Sequence, residues 1–267
     1  MKDRLDPEQA ERYQAHLVLP RIGATGQRRL LRSRVLMVGV GGLGCPTALY
    51  LTASGIGTLG LLDDDIVDRS NLQRQVLYGT ADIGKSKVQV ARERLAAINP
   101  DVDLVPIEER LVPSNAMEMV AGWDLIIDGS DNFATRYVVN DACVLSRIPL
   151  ISGSVFQFEG QLTVIHPPLG PCYRCLFPIT PREQPACRDA GLLAPLTGVV
   201  GSMLAAEAVK WLVEGDTALM GRLLLVDVLE SSSRSVRVKS DPNCPLCGRE
   251  PEIDRPTAVA SCRDGGN

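Results

Sequence analysis

The stretch Arg34–Gly44, RVLMVGVGGLG, decides the fold. Its first half is a short apolar run stopped by a glycine, the pattern of a strand buried on both faces. Its second half, Gly39-Val40-Gly41-Gly42-Leu43-Gly44, leads straight into a helix-like segment that ends at Gly55. A strand, a glycine turn and a helix in that order bring backbone close to a phosphate, with the free N–H groups of the helix start facing it. Thr58–Asp63 is the next strand, and Asp63 ends it with a carboxylate able to accept from ribose hydroxyls. Gly39, Gly41, Gly42, Gly44 and Asp63 therefore read as a nucleotide site. Alone, the turn does not separate NAD from ATP, and a glycine-rich packing turn is the bland alternative.

Working outward, strands and helices alternate. Gly84–Asn99 is a charged amphipathic helix stopped by Pro100, and Val102–Ile107, Asp124–Asp128 and Pro149–Val155 are further strands. Helical stretches at Ser114–Ala121 and Asn132–Ser146 separate them. The expected class is α/β, a Rossmann-like, mostly parallel sheet with helices on both faces. After residue 155 the texture changes to strands at Gln161–His166, Arg222–Leu229 and Arg234–Lys239, a helix at Gly198–Val213, and the Pro- and Cys-rich stretch Pro167–Pro195. We divide the chain into an N-terminal helical arm (1–32), a Rossmann-like core (33–155), a part of different texture (156–248) and a flexible tail (249–267).

Composition narrows the function. Hydrophobic residues make up 45% and charged residues 22%, which excludes global disorder. Lys and Arg number 28 against 32 Asp and Glu, a net charge of −4 that argues against a nucleic-acid or anionic-membrane binder. Val35–Leu62 and Ala190–Ala206 are free of charge, but glycines and prolines break both, so neither reads as a membrane span. Two histidines leave no material for a His-rich metal site. Eight cysteines without a secretory leader point to a reducing, cytoplasmic setting.

Several segments carry chemistry. The run Asp68-Arg69-Ser70-Asn71-Leu72-Gln73-Arg74-Gln75 follows the second strand, Lys87 lies in the helix start Gly84-Lys85-Ser86-Lys87, and Asp128-Gly129-Ser130-Asp131-Asn132 closes the fourth strand. Cations plus an acid able to hold Mg²⁺ suit a triphosphate better than a dinucleotide. Taken singly, Arg74 and Lys87 are ordinary surface charges and Asp131 an ordinary turn residue. Cys172-Tyr173-Arg174-Cys175 and Cys244-Pro245-Leu246-Cys247 are two C-x-x-C knuckles that supply a tetrahedral, closed and hence structural Zn²⁺ with four thiolates. A redox C-x-x-C explains one pair and leaves the other idle. Cys45 and Cys143 fall on core helices as small hydrophobes. Cys187, flanked by Arg182 and Arg188, is a candidate nucleophile, and an unreactive loop thiol is the equal alternative.

Together GVGGLG, DRSNLQRQ, GKSKV, DGSDN and both knuckles resemble the molybdopterin-synthase adenylyltransferase family, the MoeB/ThiF/HesA group related to the adenylation domain of ubiquitin-activating enzymes. The similarity runs over about residues 11–248, in order and with family spacing, and it implies one ATP-binding adenylation domain over 33–248, with 156–248 as its zinc and carrier-binding part. It implies a homodimeric enzyme that binds Mg·ATP and a ubiquitin-like sulfur-carrier protein ending in Gly-Gly. The carrier's carboxylate attacks the α-phosphorus, and a sulfur donor protein then makes the thiocarboxylate for molybdenum cofactor, thiamine or a related pathway. On matching positions, the resemblance sets Gly42 against the nucleotide, Asp63 on the ribose, and Ser70, Asn71, Leu72, Gln73 and Arg74 along the phosphate path. It gives Lys87 to phosphate and Asp131 to Mg²⁺ with Asn132 beside it. Cys172, Cys175, Cys244 and Cys247 match the zinc ligands, and Cys187 matches a thiol that some branches use covalently. Arg12-Tyr13-Gln14-Ala15-His16 departs from the family's R-Y-x-R, because Ala15 replaces the arginine expected to reach the partner's ATP. Two alternatives follow: a weakened homologue that captures the carrier without turnover, and an NAD-dependent oxidoreductase, which leaves SNLQRQ unexplained.

Overall fold

The computed structural model describes residues 5–167, 169–178 and 191–258. Five parallel strands form the nucleotide-binding half: β1 (Arg34–Val38), β2 (Thr58–Leu62), β3 (Asp103–Ile107), β4 (Leu125–Asp128) and β5 (Leu150–Phe156). Three antiparallel strands, β6 (Glu159–Ile165), β7 (Arg222–Asp227) and β8 (Ser232–Arg237), extend the sheet. The order across it is β3-β2-β1-β4-β5-β6-β7-β8. The chain builds outward from β1 to β3, then returns to lay β4 on the other side of β1. That reversal opens a crevice outside the carboxyl ends of β1 and β4, where open α/β sheets bind ligands.

Helices cover both faces, as the alternation expected of a buried parallel sheet requires. Val35 and Met37 of β1 join the cluster under α4 (Gly44–Ser54), α5 (Lys87–Ile98) and α9 (Ala194–Glu214). Leu36 and Val38 point the other way, into the cluster with Tyr137 and Val139 of α7 (Phe133–Ser146) and Ala116 and Val120 of α6 (Ala116–Val120). A period of two puts neighbours on opposite faces. By length and composition α9 could cross a membrane. Here it packs on α3 (Gly23–Leu30), α4 and strands β4 to β6, as a core helix.

The N-terminal arm starts with two short helices, α1 (Pro7–Arg12) and α2 (Gln14–Leu17), broken at Tyr13, and ends with α3. Tyr13 causes the break by turning inward: it is 3% exposed, and its hydroxyl accepts from Asn99 Nδ2 at 2.9 Å. At the other end, α8 (Tyr173–Leu176) sits in the first knuckle. The expected tail is anchored as far as Thr257, whose backbone N–H and hydroxyl donate to the buried Asp141 at 3.2 and 3.1 Å.

Candidate functional site

The glycine turn has the geometry that its sequence suggests. Gly39 adopts φ +83°, which L side chains rarely reach, and a Cβ on Gly44 would sit 2.1 Å from the Gly39 carbonyl oxygen. Gly39 thus makes the turn, and Gly44 lets α4 start against it. Asp63 clamps the turn from below: one carboxylate oxygen accepts from Val40 N at 2.7 Å and the other from Asp65 N at 2.9 Å. Burial raises the Asp63 carboxyl above its ordinary range, with Lys87 opposing.

Gly39, Gly41, Gly42 and Asp63 line one wall of the cleft at the switch point, with Gly129, Asp131 and Asn132 on the other. Arg74 and Lys87 also reach it. Ser70 and Asn71 act behind Arg74 instead of lining the cleft. The Ser70 carbonyl and Asn71 Oδ1 accept from its guanidinium at 3.2 and 2.9 Å, aiming it inward. Leu72 packs on the core, and Gln73 is exposed. Lys87 is nearly buried, and its ammonium donates to the exposed Asp65 carboxylate at 2.8 Å. Asp131 is exposed, and Asn132 Nδ2 donates to it at 3.4 Å. Asn132 also caps α7, accepting from Thr135 N at 2.9 Å. The loosely held Asp131 oxygens fit a hard divalent cation, which takes carboxylate ligands and keeps several waters.

The two knuckles meet although far apart in sequence. Sγ–Sγ distances are 3.9 Å for Cys172–Cys175, 3.6 Å for Cys172–Cys244 and 3.4 Å for Cys175–Cys247. Four thiolates around Zn²⁺ at about 2.3 Å form a tetrahedron with edges of about 3.8 Å. The cluster fits that ion, since four thiolates complete its tetrahedral shell. Next to it, Arg174 makes a bidentate pair with Asp141, both contacts at 2.7 Å and Asp141 fully buried. Cys45 and Cys143 lie in the core, where burial pushes the Cys45 thiol up to about 12 and Cys143 well above the usual thiol range. Neither is a nucleophile. Cys187 lies outside the described residues.

A model of the ThiF family matches residues 13–246. This chain belongs to the ThiF family. It is 48% identical over 255 residues to the sulfur carrier protein adenylyltransferase of Thermus thermophilus, covering 93% of this chain and 94% of that relative. It is 47% identical over 246 residues to the SAMP-activating enzyme E1 of Haloferax volcanii, covering 91% of each. With the adenylyltransferase and sulfurtransferase MOCS3 of Bos taurus it shares 46% identity over 252 residues, which is 93% of this chain and 55% of that relative. Among solved structures, E. coli MccB with succinimide superposes with a TM-score of 0.79 at 24% identity, over 89% of this chain and 74% of MccB. That likeness speaks for the fold.

Asp65 and Arg136 are among the residues of this ThiF-family cleft not visible as site residues in the sequence. Asp65 becomes the partner of Lys87 only when β2 and α5 are brought together, and nothing in the run Asp63-Asp64-Asp65 singles it out. Arg136 is buried at 7% exposure and lines the cleft from the first turn of α7. Its place one helical turn beyond Asn132 is the signal that could have found it.

Proposed function

We propose that this chain transfers AMP from ATP to the C-terminal carboxylate of a ubiquitin-like sulfur-carrier protein, releasing pyrophosphate. Adenylyltransferase stands in the names of relatives at 47–48% identity over nine-tenths of the chain, and the chain is an enzyme of that class. The observation that carries the reading is the meeting of Arg74, Lys87 and Asp131 at the glycine turn. Polyphosphate needs cations on both flanks and a metal, and these three groups supply them. Asp63 accepts from the ribose, and the Gly41–Gly42 backbone lies along the phosphates. Lys87 exchanges the Asp65 carboxylate for a phosphate oxygen. Asp131 would hold Mg²⁺, which would supply charge neutralisation at the polyphosphate. A carrier carboxylate oxygen forms the bond to the α-phosphorus as the bond to pyrophosphate breaks. The enzyme's task is positioning and electrostatics, without a nucleophile of its own.

The zinc site is structural in this reading, residues 33–248 act as one adenylation domain, and the enzyme works as a cytoplasmic homodimer that hands its product to a sulfur donor protein. None of the six described cysteines is in a disulfide. Ala15 favours a second reading, a carrier-binding homologue with weak turnover. It is exposed on α2, and the nearby Arg12 is occupied, donating to the Ile98 carbonyl at 3.1 Å. Intact-mass analysis of a Gly-Gly-ended carrier, incubated with ATP, Mg²⁺ and the enzyme, tests the proposal. A carrier mass increased by AMP, or hydroxamate formation in hydroxylamine, is expected. An unmodified carrier beside hydrolysed ATP would refute it.

A further inference from the structure

The side chain of Asp131, the acid read as the Mg²⁺ ligand, is loosely held. It is exposed, and Asn132 Nδ2 approaches its carboxylate only at 3.4 Å. Ser130, the residue before it, is gripped on three atoms. Its N–H donates to the buried Asp128 carboxylate at 3.0 Å, and its hydroxyl turns to the same acid, which also accepts from the Ser152 hydroxyl at 3.0 Å. Its carbonyl accepts from a terminal nitrogen of Arg136 at 2.9 Å. That carbonyl belongs to the planar peptide unit that leads into Asp131, so the guanidinium fixes the plane from which the Asp131 side chain departs.

Arg136 is held from the other side by the first knuckle. Its guanidinium lies against the hydroxyl of Tyr173, an acceptor for its remaining N–H groups. Tyr173 directly follows Cys172 and is itself buried. The knuckle is bolted to α7 at two more levels. Tyr173 N donates to Asn140 Oδ1 at 2.8 Å, the Tyr173 ring meets Tyr137 edge-on at 5.3 Å, and the Tyr137 hydroxyl donates to the Phe177 carbonyl at 2.6 Å. The same helix begins at Asn132, its N-cap, next to Asp131. One rigid element therefore carries the support of the metal acid at its start and the grip of the knuckle along its length. A buried cation is costly unless such partners surround it.

We propose that Arg136 is a positioning residue for Asp131, and that the first knuckle, through Tyr173, holds Arg136 in that place. This rests on the reading of Asp131 as the Mg²⁺ acid of the adenylation site. It gives the thiolate knuckle a part in metal binding at the cleft beside its part in stability. It follows that the gain in nucleotide affinity from a divalent metal depends on Arg136. Nucleotide affinity without metal does not.

The probe is an α,β-methylene ATP analogue, titrated into the full-length protein by calorimetry in EDTA and again with Mn²⁺, an oxygen-seeking stand-in for Mg²⁺ whose EPR signal reports the bound ion. In the parent, Mn²⁺ should tighten the analogue. Arg136→Gln should shrink that gain by about tenfold or more, as loss of an outer partner of a metal ligand does, and leave the affinity in EDTA unchanged. Arg136→Lys should recover part of the gain. Tyr173→Phe, which removes one hydroxyl, should lose part of it with zinc content at the parent's level. Arg136→Gln added to Asp131→Asn should cost nothing beyond Asp131→Asn alone, because the guanidinium acts through that acid. Additive losses overturn the proposal, and so does a loss in EDTA, since Arg136 would then touch the nucleotide itself. A Tyr173→Phe protein with the full Mn²⁺ gain overturns the part given to the knuckle. If Arg136→Gln fails to fold, Arg136→Lys and Tyr173→Phe decide by the same gain. Failure of the adenylation reading is separate: it shows as a parent that binds Mn²⁺ and the analogue yet leaves every Gly-Gly-ended carrier unmodified.

Discussion

At the residue scale, the account turns on charges that meet in the cleft. Lys87→Ala and Asp131→Ala should each lower carrier-dependent pyrophosphate exchange by roughly 100-fold or more while leaving the thermal transition near the parent's, since a positioned charge in such a site carries that much of the rate. Circular dichroism and exchange assays on the same preparations check this. Asp63 adds a pH signature. Burial raises its carboxyl, so on acidification it takes a proton earlier than an ordinary carboxylate and ceases to be a pure acceptor for the ribose. Nucleotide affinity should therefore weaken as pH falls from neutral through that raised value. In Asp63→Asn the acid limb should vanish from a titration with an ATP analogue. Ala15→Arg should raise exchange by about tenfold, if the restored guanidinium makes one charge-assisted contact to polyphosphate. Cys187→Ser should exchange like the parent, because attack at phosphorus uses the carrier's own carboxylate.

At the scale of elements, the two knuckles and α7 form one unit. Arg174 lies between two of the cysteines and pairs with Asp141 of α7, which also holds Thr257. Removing Arg174 leaves a fully buried carboxylate without its cation, which typically costs about 3–5 kcal/mol. Arg174→Ala should lower the unfolding midpoint and loosen zinc, read by differential scanning calorimetry and by a chelator-competition assay. Cys244→Ser should do the same through the metal, since metal-binding energy in a closed thiolate site is folding energy. How much of this the sequence discloses depends on distance along the chain. GVGGLG and the two C-x-x-C pairs are local patterns whose spacing states their geometry. The pair Lys87–Asp65 and the pair Arg174–Asp141 join residues on separate elements, so only the fold creates them. Arg136 reads as a helix residue until β4, α7 and the sheet surface are seen together. Tyr13 breaks the N-terminal helix for a reason that lies in Asn99, again remote in sequence.

For the whole molecule, the sheet order gives the proposed reaction room for a nucleotide and an acceptor on one chain. The parallel half, β3-β2-β1-β4-β5, opens a phosphate crevice at its reversal point. The antiparallel extension, β6-β7-β8, continues the same surface away from it. The central claim is that this surface brings a carboxylate to the α-phosphorus of ATP. The direct measurement is exchange of radiolabelled pyrophosphate into ATP, with and without a ubiquitin-like carrier ending in Gly-Gly. The account predicts exchange that requires the carrier, requires Mg²⁺ and disappears when the last glycine is removed. Exchange that proceeds equally without carrier, or nucleotide binding with no exchange in its presence, would contradict it.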